Sequence, residues 1–265
     1  MNAAGDAVRG LLRRSTPPLV AAVVIVTAWQ LFVSLADVKS FILPAPSAIL
    51  TALRDDWSII RAASVRTIQE VLLGLALGTI WGTAVAVVLS RIKRLSAPVL
   101  AFAAAVNCAP IVALAPIANN WLGISSLISK AAVAGVMVFF PVLMGVTRGL
   151  SAVPQTNVEL MYSYAAGPLQ TVRYVNMPNA LPYLFSALRL GSTLAVIGAI
   201  VTEYFGGPTS ALGVYIANKA ALPRFPAAWA GVVVASTIGL VLFGLVVLLE
   251  RLVMPWHASV SGGNR

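Results

Sequence analysis

Long apolar runs separated by polar segments are the main pattern along this chain of 265 residues. Each run is close to the ~20 residues that an α-helix needs to cross the hydrocarbon core of a bilayer. Hydrophobic residues follow one another within a run and do not alternate with polar ones, which favours helices over strands. The pattern predicts an all-α integral membrane protein with a single domain over residues 1–265. Six spans are predicted, at about residues 17–36, 67–90, 96–117, 124–147, 184–205 and 227–250.

The third predicted span is more polar than the others. Pro110 and Pro116 interrupt it, and Asn107, Asn119 and Asn120 lie within it or just after it. Two interpretations of these asparagines remain open. They can satisfy backbone carbonyls that the prolines leave without partners, or they can line a translocation path, since broken polar helices do so in transporters.

Composition supports the membrane assignment. Hydrophobic residues make up 59% of the chain and charged residues 10%, whereas a soluble domain usually has about 25% charged residues. So few charges cannot cover a protein surface in water. We therefore predict that membrane lipid covers much of the surface. The net charge of +10 fits the same class, because the basic residues cluster at the ends of apolar runs, where they meet anionic lipid. We therefore predict no nucleic-acid partner.

Basic residues also predict the orientation of the spans. The clusters Arg13–Arg14 and Arg91–Arg94 fall on one side of the predicted membrane, and cytoplasmic loops are the ones enriched in lysine and arginine. Both termini and residues 148–182 are therefore predicted to be cytoplasmic. The first apolar run shows no convincing small-residue cleavage site, which predicts an uncleaved span.

Few residues are available for catalysis or metal binding. Cys108 is the one cysteine and His257 the one histidine, so the sequence offers no intrachain disulfide, no cysteine-based metal cluster and no histidine-centred triad. The sequence also lacks a phosphate-binding loop of the GxxxxGK[ST] type. We predict no catalytic residue, no metal site and no cofactor in this chain.

Two carboxylates lie near ends of predicted spans. Glu203 lies at the end of the fifth span. It is a candidate path residue, because a carboxylate at membrane depth is costly unless it serves a function, and its neighbour Tyr204 is a candidate with it. The alternative for Glu203 is a structural ion pair or exposure at the interface. Glu70, at the start of the second span, is predicted to be an interfacial charge near Arg66.

Two patterns predict local structure around the second span. Ala48–Ser64 has the alternation of apolar and charged positions typical of an amphipathic helix. Gly74, Gly78 and Gly82 recur at every fourth position, a spacing that lets neighbouring helices approach closely.

The polar segment between the fourth and fifth spans, Arg148 to Pro182, is too long for a simple connection, since most connections have only a few residues. Gln155–Tyr164 has helical character after Pro154, and Ala165–Pro168 predicts a break. Leu169–Asn176 then predicts a second helix.

This second helix is expected to end before Pro178. Helix, turn and helix together form a compact knob that a soluble partner can grip. Glu159, the one acidic residue of the knob, is expected to pair with Arg173 or to cap a neighbouring helix.

The same segment resembles a motif of bacterial ABC-importer permeases, EAA-xxx-G-x9-I-x-LP. Glu159 and Pro178 match its conserved ends with the spacing intact. The departures are Leu160 and Met161 for two alanines, Ala165 for the glycine, Val175 for isoleucine and Met177 for leucine. We expect Ala166 and Gly167 to supply the flexibility of the missing glycine. The resemblance implies that the residues contacting the ATPase are Glu159, Tyr164, Ala165, Ala166, Gly167, Pro168, Arg173 and Pro178.

Short motifs elsewhere are similar to one subgroup of this family, the permeases for nitrate, taurine, aliphatic sulfonates and thiamine-precursor pyrimidines. They are Phe41–Ser47, Arg66–Gly74, Glu203 with Ala211–Gly213, and Glu250–Trp256. Together with the Glu159 motif they extend the resemblance over nearly the whole chain.

The resemblance implies a type I permease fold with a cytoplasmic coupling helix, in a multi-pass protein of the bacterial inner membrane. It implies a homodimer of permeases, two cytoplasmic ATPases that bind ATP and magnesium, and an extracytoplasmic binding protein that delivers a small polar organic solute or anion. The alternative is a channel or secondary transporter without an ATPase partner. A membrane enzyme is disfavoured, since Glu203 has no histidine and no second carboxylate in its span.

Overall fold

The computed structural model describes residues 3–108 and 110–255, and every regular element in these ranges is helical. Trp256 and His257, both named in the sequence analysis, lie outside the described residues. The helices are α1 (Ala3–Leu35), α2 (Pro46–Asp55), α3 (Trp57–Arg91), α4 (Lys93–Asn107), α5 (Ile111–Leu122), α6 (Leu127–Ser151), α7 (Gln155–Ser163), α8 (Pro168–Thr171), a π-helical turn (Val172–Asn176), α9 (Met177–Tyr204), α10 (Leu212–Ala221) and α11 (Phe225–Val253).

Four helical stretches of the described chain are long and apolar enough to cross a membrane. They are Trp57–Arg91, Leu127–Ser151, Pro168–Tyr204 and Phe225–Val253. The bent pair α4 and α5 makes a fifth if it counts as one span, and the apolar part of α1 is shorter, at Val20–Leu35. The predicted all-α membrane class is confirmed, because these helices satisfy their backbone hydrogen bonds internally, as lipid requires.

The third predicted span is divided between two helices. The axes of α4 and α5 differ by 94°, and Pro110 precedes the first residue of α5 with an extended backbone, φ −66° and ψ 113°. Proline has no N–H to donate to the preceding turn, so α4 does not continue through it.

The predicted amphipathic helix Ala48–Ser64 is wrong as a single element. α2 ends at Asp55 and α3 begins at Trp57, so the second half of the predicted helix is the start of a long apolar one. The Asp56 N–H closes the last turn of α2 by donating to the carbonyls of Ala52 and Arg54. The backbone at Asp56, with φ −97° and ψ 13°, then leaves the helical region.

The chain folds into two compact units. The first comprises residues 1–57 and 216–232. In it, the indole rings of Trp29 and Trp229 lie 5.8 Å apart, and the Ser47 N–H donates to Gln30 Oε1 at 3.0 Å. Lys219 forms an ion pair with Asp56 at 2.5 Å.

The second unit comprises residues 58–215 and 233–265, and α3, α6 and α9 pack closely at its centre. A Cβ atom at Gly74 would lie 2.5 Å from Ala134 Cβ, and one at Gly78 would lie 2.5 Å from the carbonyl oxygen of Gly135. The close approach predicted from the glycine spacing is therefore confirmed. Buried apolar side chains from all three helices form the core around this contact, among them Val71, Val138, Val142, Ala195 and Ala199.

Candidate functional site

The segment between α6 and α9, residues 152–176, is named the exposed segment. Its first helix is α7, and the predicted break after it is confirmed. The turn that follows is held by backbone hydrogen bonds, from Tyr164 to Leu160 at 3.2 Å and from Ala166 to Met161 at 3.0 Å. The Gly167 N–H then donates to the side chain of Gln170 at 2.8 Å, at the start of α8.

Ala165, rather than Gly167, carries the unusual backbone of this turn. Its φ is +53°, a left-handed conformation that glycine adopts readily and alanine does not. Gly167 has φ −70° and ψ 164°, an extended conformation open to any residue. Ala166 and Gly167 were expected to supply the flexibility of the missing glycine, but the left-handed residue of this turn is still at the motif position, Ala165.

The second predicted helix does not end before Pro178. α8 passes through the π-helical turn at Val172–Asn176 directly into α9, and the Met177 N–H donates to the Val172 carbonyl five residues earlier. A proline inside an α-helix clashes with the carbonyl four residues before it. The wider turn makes room at Tyr174, so the chain continues as a helix where a stop was predicted.

Large apolar and aromatic side chains of the exposed segment point into solvent. α7 has no buried residue, and neither has α8. The side chains of Leu160, Tyr162, Tyr164, Leu169 and Tyr174 are between 54% and 76% exposed. This is an apolar surface on a connection between two long helices, and such patches mark contact sites for other proteins.

The predicted Glu159–Arg173 pair is not formed. Glu159 is exposed on α7, and the ion pairs among the described residues do not include it. The Arg173 guanidinium lies 5.9 Å from the centre of the neighbouring Tyr174 ring. Both charges are therefore available to a partner.

The exposed segment is attached firmly to the core of the second unit. Asn179 Nδ2 donates to the Gly149 carbonyl at 2.8 Å, which joins the start of α9 to the end of α6. A Cβ atom at Gly149 would lie 2.8 Å from Ala180 Cα, so the two backbones touch. A groove of about 650 Å³ lies beside this joint, lined by Asn157, Tyr174 and Pro178 among others.

A second group of polar residues lies at the opposite ends of α6 and α9 and is named the polar cluster. Its members are Arg66, Thr67, Glu70, Asn119, Ser129, Lys130 and Glu203. Glu203 is fully buried. Its Oε1 accepts from Thr67 Oγ1 at 2.7 Å, and its Oε2 accepts from the Gly213 N–H at 2.6 Å. The carboxylate thus caps the N-terminus of α10, where negative charge is stabilising.

Glu70 is fully buried, so its predicted interfacial position is wrong. Its predicted proximity to Arg66 is confirmed, with Arg66 Nε donating to Glu70 Oε1 at 3.0 Å. Glu70 Oε2 has no hydrogen-bond partner among the described residues. Arg66 also donates to the Ser125 carbonyl at 3.0 Å, which fixes the loop before α6.

Lys130 completes the polar cluster. Its ammonium group is buried and donates to Asn119 Oδ1 at 2.9 Å and to the Ile124 carbonyl. It interacts electrostatically with both Glu70 and Glu203. Two basic side chains, Arg66 and Lys130, thus lie close to two buried acidic ones, Glu70 and Glu203. Lys130 was not among the predicted site residues, although a charge inside the fourth predicted span, 124–147, is a sequence signal for a buried functional or structural group.

Asn119 connects α5 to the ends of two other helices. Its amide nitrogen donates to the carbonyls of Thr202 at 3.0 Å and Gly206 at 2.9 Å, and its Oδ1 accepts from Ser129 Oγ at 2.7 Å. The carbonyls it satisfies lie at the end of α9 and just after it, rather than in the turns around Pro110 or Pro116.

The predicted path residues fall in three places. Asn119 and Glu203 are both buried in the polar cluster. Asn120 and Tyr204 are exposed, with the Tyr204 ring edge-on to Phe205 at 5.6 Å. Asn107 lines a cavity of about 750 Å³ between α4, α6 and α9, named the Arg148 cavity after the one charged side chain among its described lining residues. A path role for each of these residues stays a prediction.

Comparisons with known proteins bear on this arrangement. Residues 74–255 match the family described as binding-protein-dependent transport system inner membrane component. The chain is 33% identical over 263 residues to riboflavin transport system permease protein RibX of Chloroflexus aurantiacus, covering 95% of each protein. It is 29% identical over 222 residues to formylaminopyrimidine transport permease protein ThiX of Halalkalibacterium halodurans, covering 83% of this chain and 87% of that protein.

Among solved structures, the chain is similar to a crystal structure of an amino acid ABC transporter with histidines. The TM-score is 0.60 and the identity 15%, over 76% of this chain and 97% of the other. At this identity the likeness shows the fold, and the predicted type I permease fold is confirmed by it together with the family match.

Proposed function

Because the chain belongs to the family of binding-protein-dependent transport system inner membrane components and is the permease subunit of an ABC importer, we propose that the importer's ATPase docks on the exposed segment together with Met177 and Pro178 of α9. Members of this family are multi-pass inner membrane proteins that transport solutes and are not enzymes. Transport of this kind depends on an ATPase and on a binding protein as partners. This chain itself therefore transmits movement from the ATPase and selects the solute.

The observation that carries the proposal is the composition of the exposed segment. Tyr162, Tyr164 and Leu169 are each more than 70% exposed, in a connection that a membrane protein has no structural need to lengthen. Tyrosines and large apolar residues are enriched in the buried centres of protein interfaces. An ATPase covering this patch removes it from water and finds Glu159 and Arg173 free for ion pairs of its own.

A push on the exposed segment reaches the bundle through two joints. The first is the Asn179–Gly149 hydrogen bond, and the second is the unbroken helix from Pro168 to Tyr204. ATP-driven movement of the ATPase would therefore displace α6 and α9 together, and so alternate access to a central path.

The finer assembly follows from the same proposal. Two copies of this chain form a homodimer, each gripped by one ATPase that binds ATP and magnesium, and no cofactor binds to this chain. Both termini and the exposed segment lie in the cytoplasm, while a binding protein docks on the opposite side. The solute is a small polar organic molecule or anion, in keeping with relatives named for riboflavin and formylaminopyrimidine transport.

The direct test is co-purification of the tagged chain from native membranes. We expect one ATPase per permease copy, and Tyr164→Ala or Leu169→Glu should reduce the recovered ATPase about tenfold or more, since loss of a central interface residue costs about 2 kcal/mol. Trp121→Ala is the matched control, because Trp121 is equally exposed at 78% but lies on α5, outside the exposed segment.

Two outcomes contradict the proposal. Full ATPase recovery with both variants would show that the ATPase docks elsewhere. A wild-type chain that purifies intact without any ATPase would favour a channel or secondary transporter.

A further inference from the structure

We propose that Glu70 and Glu203 form a proton-binding site, in which two buried carboxyl groups share one proton and so join α3 to the end of α9. The site lies in the polar cluster, and it exchanges its proton with water only when these two helices separate there. The sharing of the proton is independent of the permease function proposed above, whereas its exchange during transport rests on that function.

The two carboxyl groups are enclosed by protein and lie close together. Glu70 and Glu203 are both fully buried, and their side chains interact directly, within hydrogen-bonding range. Thr67, three positions before Glu70 on the same face of α3, donates to Glu203 Oε1 at 2.7 Å. Two carboxylates this close cannot both be ionised without water between them, and carboxyl pairs in enzymes share one proton for this reason.

The hydrogen bonds of Glu203 leave room for one more contact. Its Oε1 accepts from Thr67, and its Oε2 accepts from the Gly213 N–H at 2.6 Å, at the start of α10. The two oxygens of a carboxylate together offer about four lone pairs. A proton shared with Glu70 therefore adds a hydrogen bond to Glu203 without displacing either of these donors.

Glu70 has an oxygen atom that this proton would satisfy. Its Oε1 accepts from Arg66 Nε at 3.0 Å, but its Oε2 is buried and has no hydrogen-bond partner among the described residues. Buried polar atoms are nearly always satisfied. Two ionised carboxylates have no hydrogen to share, whereas one proton between Oε2 and Glu203 gives Oε2 its hydrogen bond, whichever of the two groups carries it.

The basic side chains around the pair do not replace the proton. Among the described residues of the polar cluster they are Arg66 of α3 and Lys130 of α6. The Arg66 side chain is 29% exposed, so water partly screens its charge. The Lys130 ammonium donates to Asn119 Oδ1 and to the Ile124 carbonyl. α5 contributes the uncharged Asn119 to the cluster, and α10 contributes a backbone N–H.

Release of the proton requires water at the pair. When the ends of α3 and α9 separate, the O–H bond of the carboxyl group that carries the proton breaks, the proton passes to water, and the bonding electrons stay on the oxygen. Both groups are then ionised, and the repulsion between two like charges opposes closing. Rebinding of one proton removes this repulsion, so the proton stabilises the closed arrangement.

The test is infrared spectroscopy of the complete permease–ATPase complex in lipid nanodiscs at neutral pH. A protonated carboxyl group has a carbonyl stretch distinct from the bands of carboxylates and amides, and this stretch shifts to lower frequency in D₂O. We expect the band in wild type and its loss in both Glu70→Gln and Glu203→Gln. Asp55→Asn is the matched control, because it removes an exposed carboxylate of α2, and it should retain the band.

Loss of the band in both variants is the signature of a shared proton. In either variant the remaining carboxyl group has lost the partner with which it shared the proton, and it lies close to Arg66 and Lys130, so it ionises. The glutamine amide can donate a hydrogen bond in place of the proton, which favours folding of both variants. The D₂O shift in wild type needs no variant.

ATP hydrolysis tests the link to transport. After transfer of the complex into D₂O, the band should shift slowly at rest and faster when ATP is supplied, because water reaches the buried pair only when α3 and α9 separate. Glu159→Gln is not used here, since Glu159 belongs to the proposed docking surface.

Several outcomes would overturn the inference. Absence of the band from wild type, or its retention in both glutamine variants, would overturn the proton-binding site. Loss in only one variant would show a single neutral carboxyl group in place of a shared proton. An unchanged rate of exchange while ATP is hydrolysed would overturn the link to transport alone. A chain that retains no ATPase would overturn the proposed function, while the band would still decide the shared proton.

Discussion

The left-handed backbone of Ala165 makes a prediction at the scale of one residue. Ala165→Gly should stabilise the turn by about 1 kcal/mol, because glycine has no Cβ penalty at positive φ. Ala165→Val should weaken both the turn and ATPase recovery. Thermal unfolding and co-purification measure the two effects.

Gly167→Ala is the control for this comparison. Its new Cβ would meet only the flexible end of Gln170, at 3.9 Å, so we expect a change in stability within about 0.5 kcal/mol. The reverse ranking, with Gly167→Ala more damaging than Ala165→Val, would contradict the described turn.

Glu203 gives a second prediction at residue scale. Glu203→Ala removes the buried hydrogen-bond acceptor of Thr67 Oγ1 and of the Gly213 N–H at the start of α10. Leaving a buried donor without a partner typically costs about 1–3 kcal/mol, which a fall in unfolding temperature would report. Glu203→Gln, which keeps one acceptor, should cost less.

Glu159→Gln is the matched control for the Glu203 variants. Glu159 is exposed on α7, so we expect this substitution to leave the unfolding temperature unchanged. A Glu203→Ala protein as stable as wild type would show that Glu203 is not part of a structural network.

Sequence distance decided which of these contacts could be predicted. Arg66 and Glu70 lie one helical turn apart, so their contact follows from the period of a helix. Thr67 and Glu203 lie 136 positions apart, and only the packing of α3 against α9 brings them together. The structure shows neither form of the alternative considered for Glu203, an ion pair or exposure at the interface. Glu203 is fully buried, and its hydrogen bonds are to a hydroxyl and to a backbone N–H at the start of α10.

At the scale of elements, the contact between α6 and α9 makes a further prediction. Gly149→Ala forces the helices apart, because the added Cβ would lie 2.8 Å from Ala180 Cα and 2.9 Å from Tyr183 Cδ2. We expect lower stability and weaker coupling of ATP hydrolysis to transport, both measured in the reconstituted complex.

Gly244→Ala in α11 is the matched control, since no atom of the described chain lies within 4 Å of its added Cβ. Alanine favours a helix interior over glycine by about 1 kcal/mol, so this variant should be neutral or more stable. Equal loss in both variants would show that the α6–α9 contact has no special role.

Hydrophobic runs predicted the long helices because length and composition alone decide whether a helix suits a bilayer. The same information could not place the boundary at Asp56, where an amphipathic stretch and an apolar stretch follow one another with helical periodicity throughout. It also failed at Pro178, because a proline stops an α-helix but not one widened by a π-helical turn.

At the scale of the whole molecule, the distribution of basic residues predicts which end faces the cytoplasm. In a Cys108→Ser background, Ser210→Cys should react with a membrane-impermeant maleimide on intact cells, and Ser163→Cys should react only after lysis. Both positions are exposed. Labelling of Ser163→Cys on intact cells would reverse the orientation.

The π-helical turn at Val172–Asn176 determines the direction in which the exposed segment faces, independently of how the bundle packs. Deleting one residue there would restore ordinary helical pitch and rotate everything before it by about 100° around the axis of α9. The contacts of α9 after Met177 would stay as they are. The number of residues in this turn therefore determines the rotation of the exposed segment about the axis of α9. A change of one residue there could fit the same helix bundle to an ATPase of a different shape without any change in the core of the bundle.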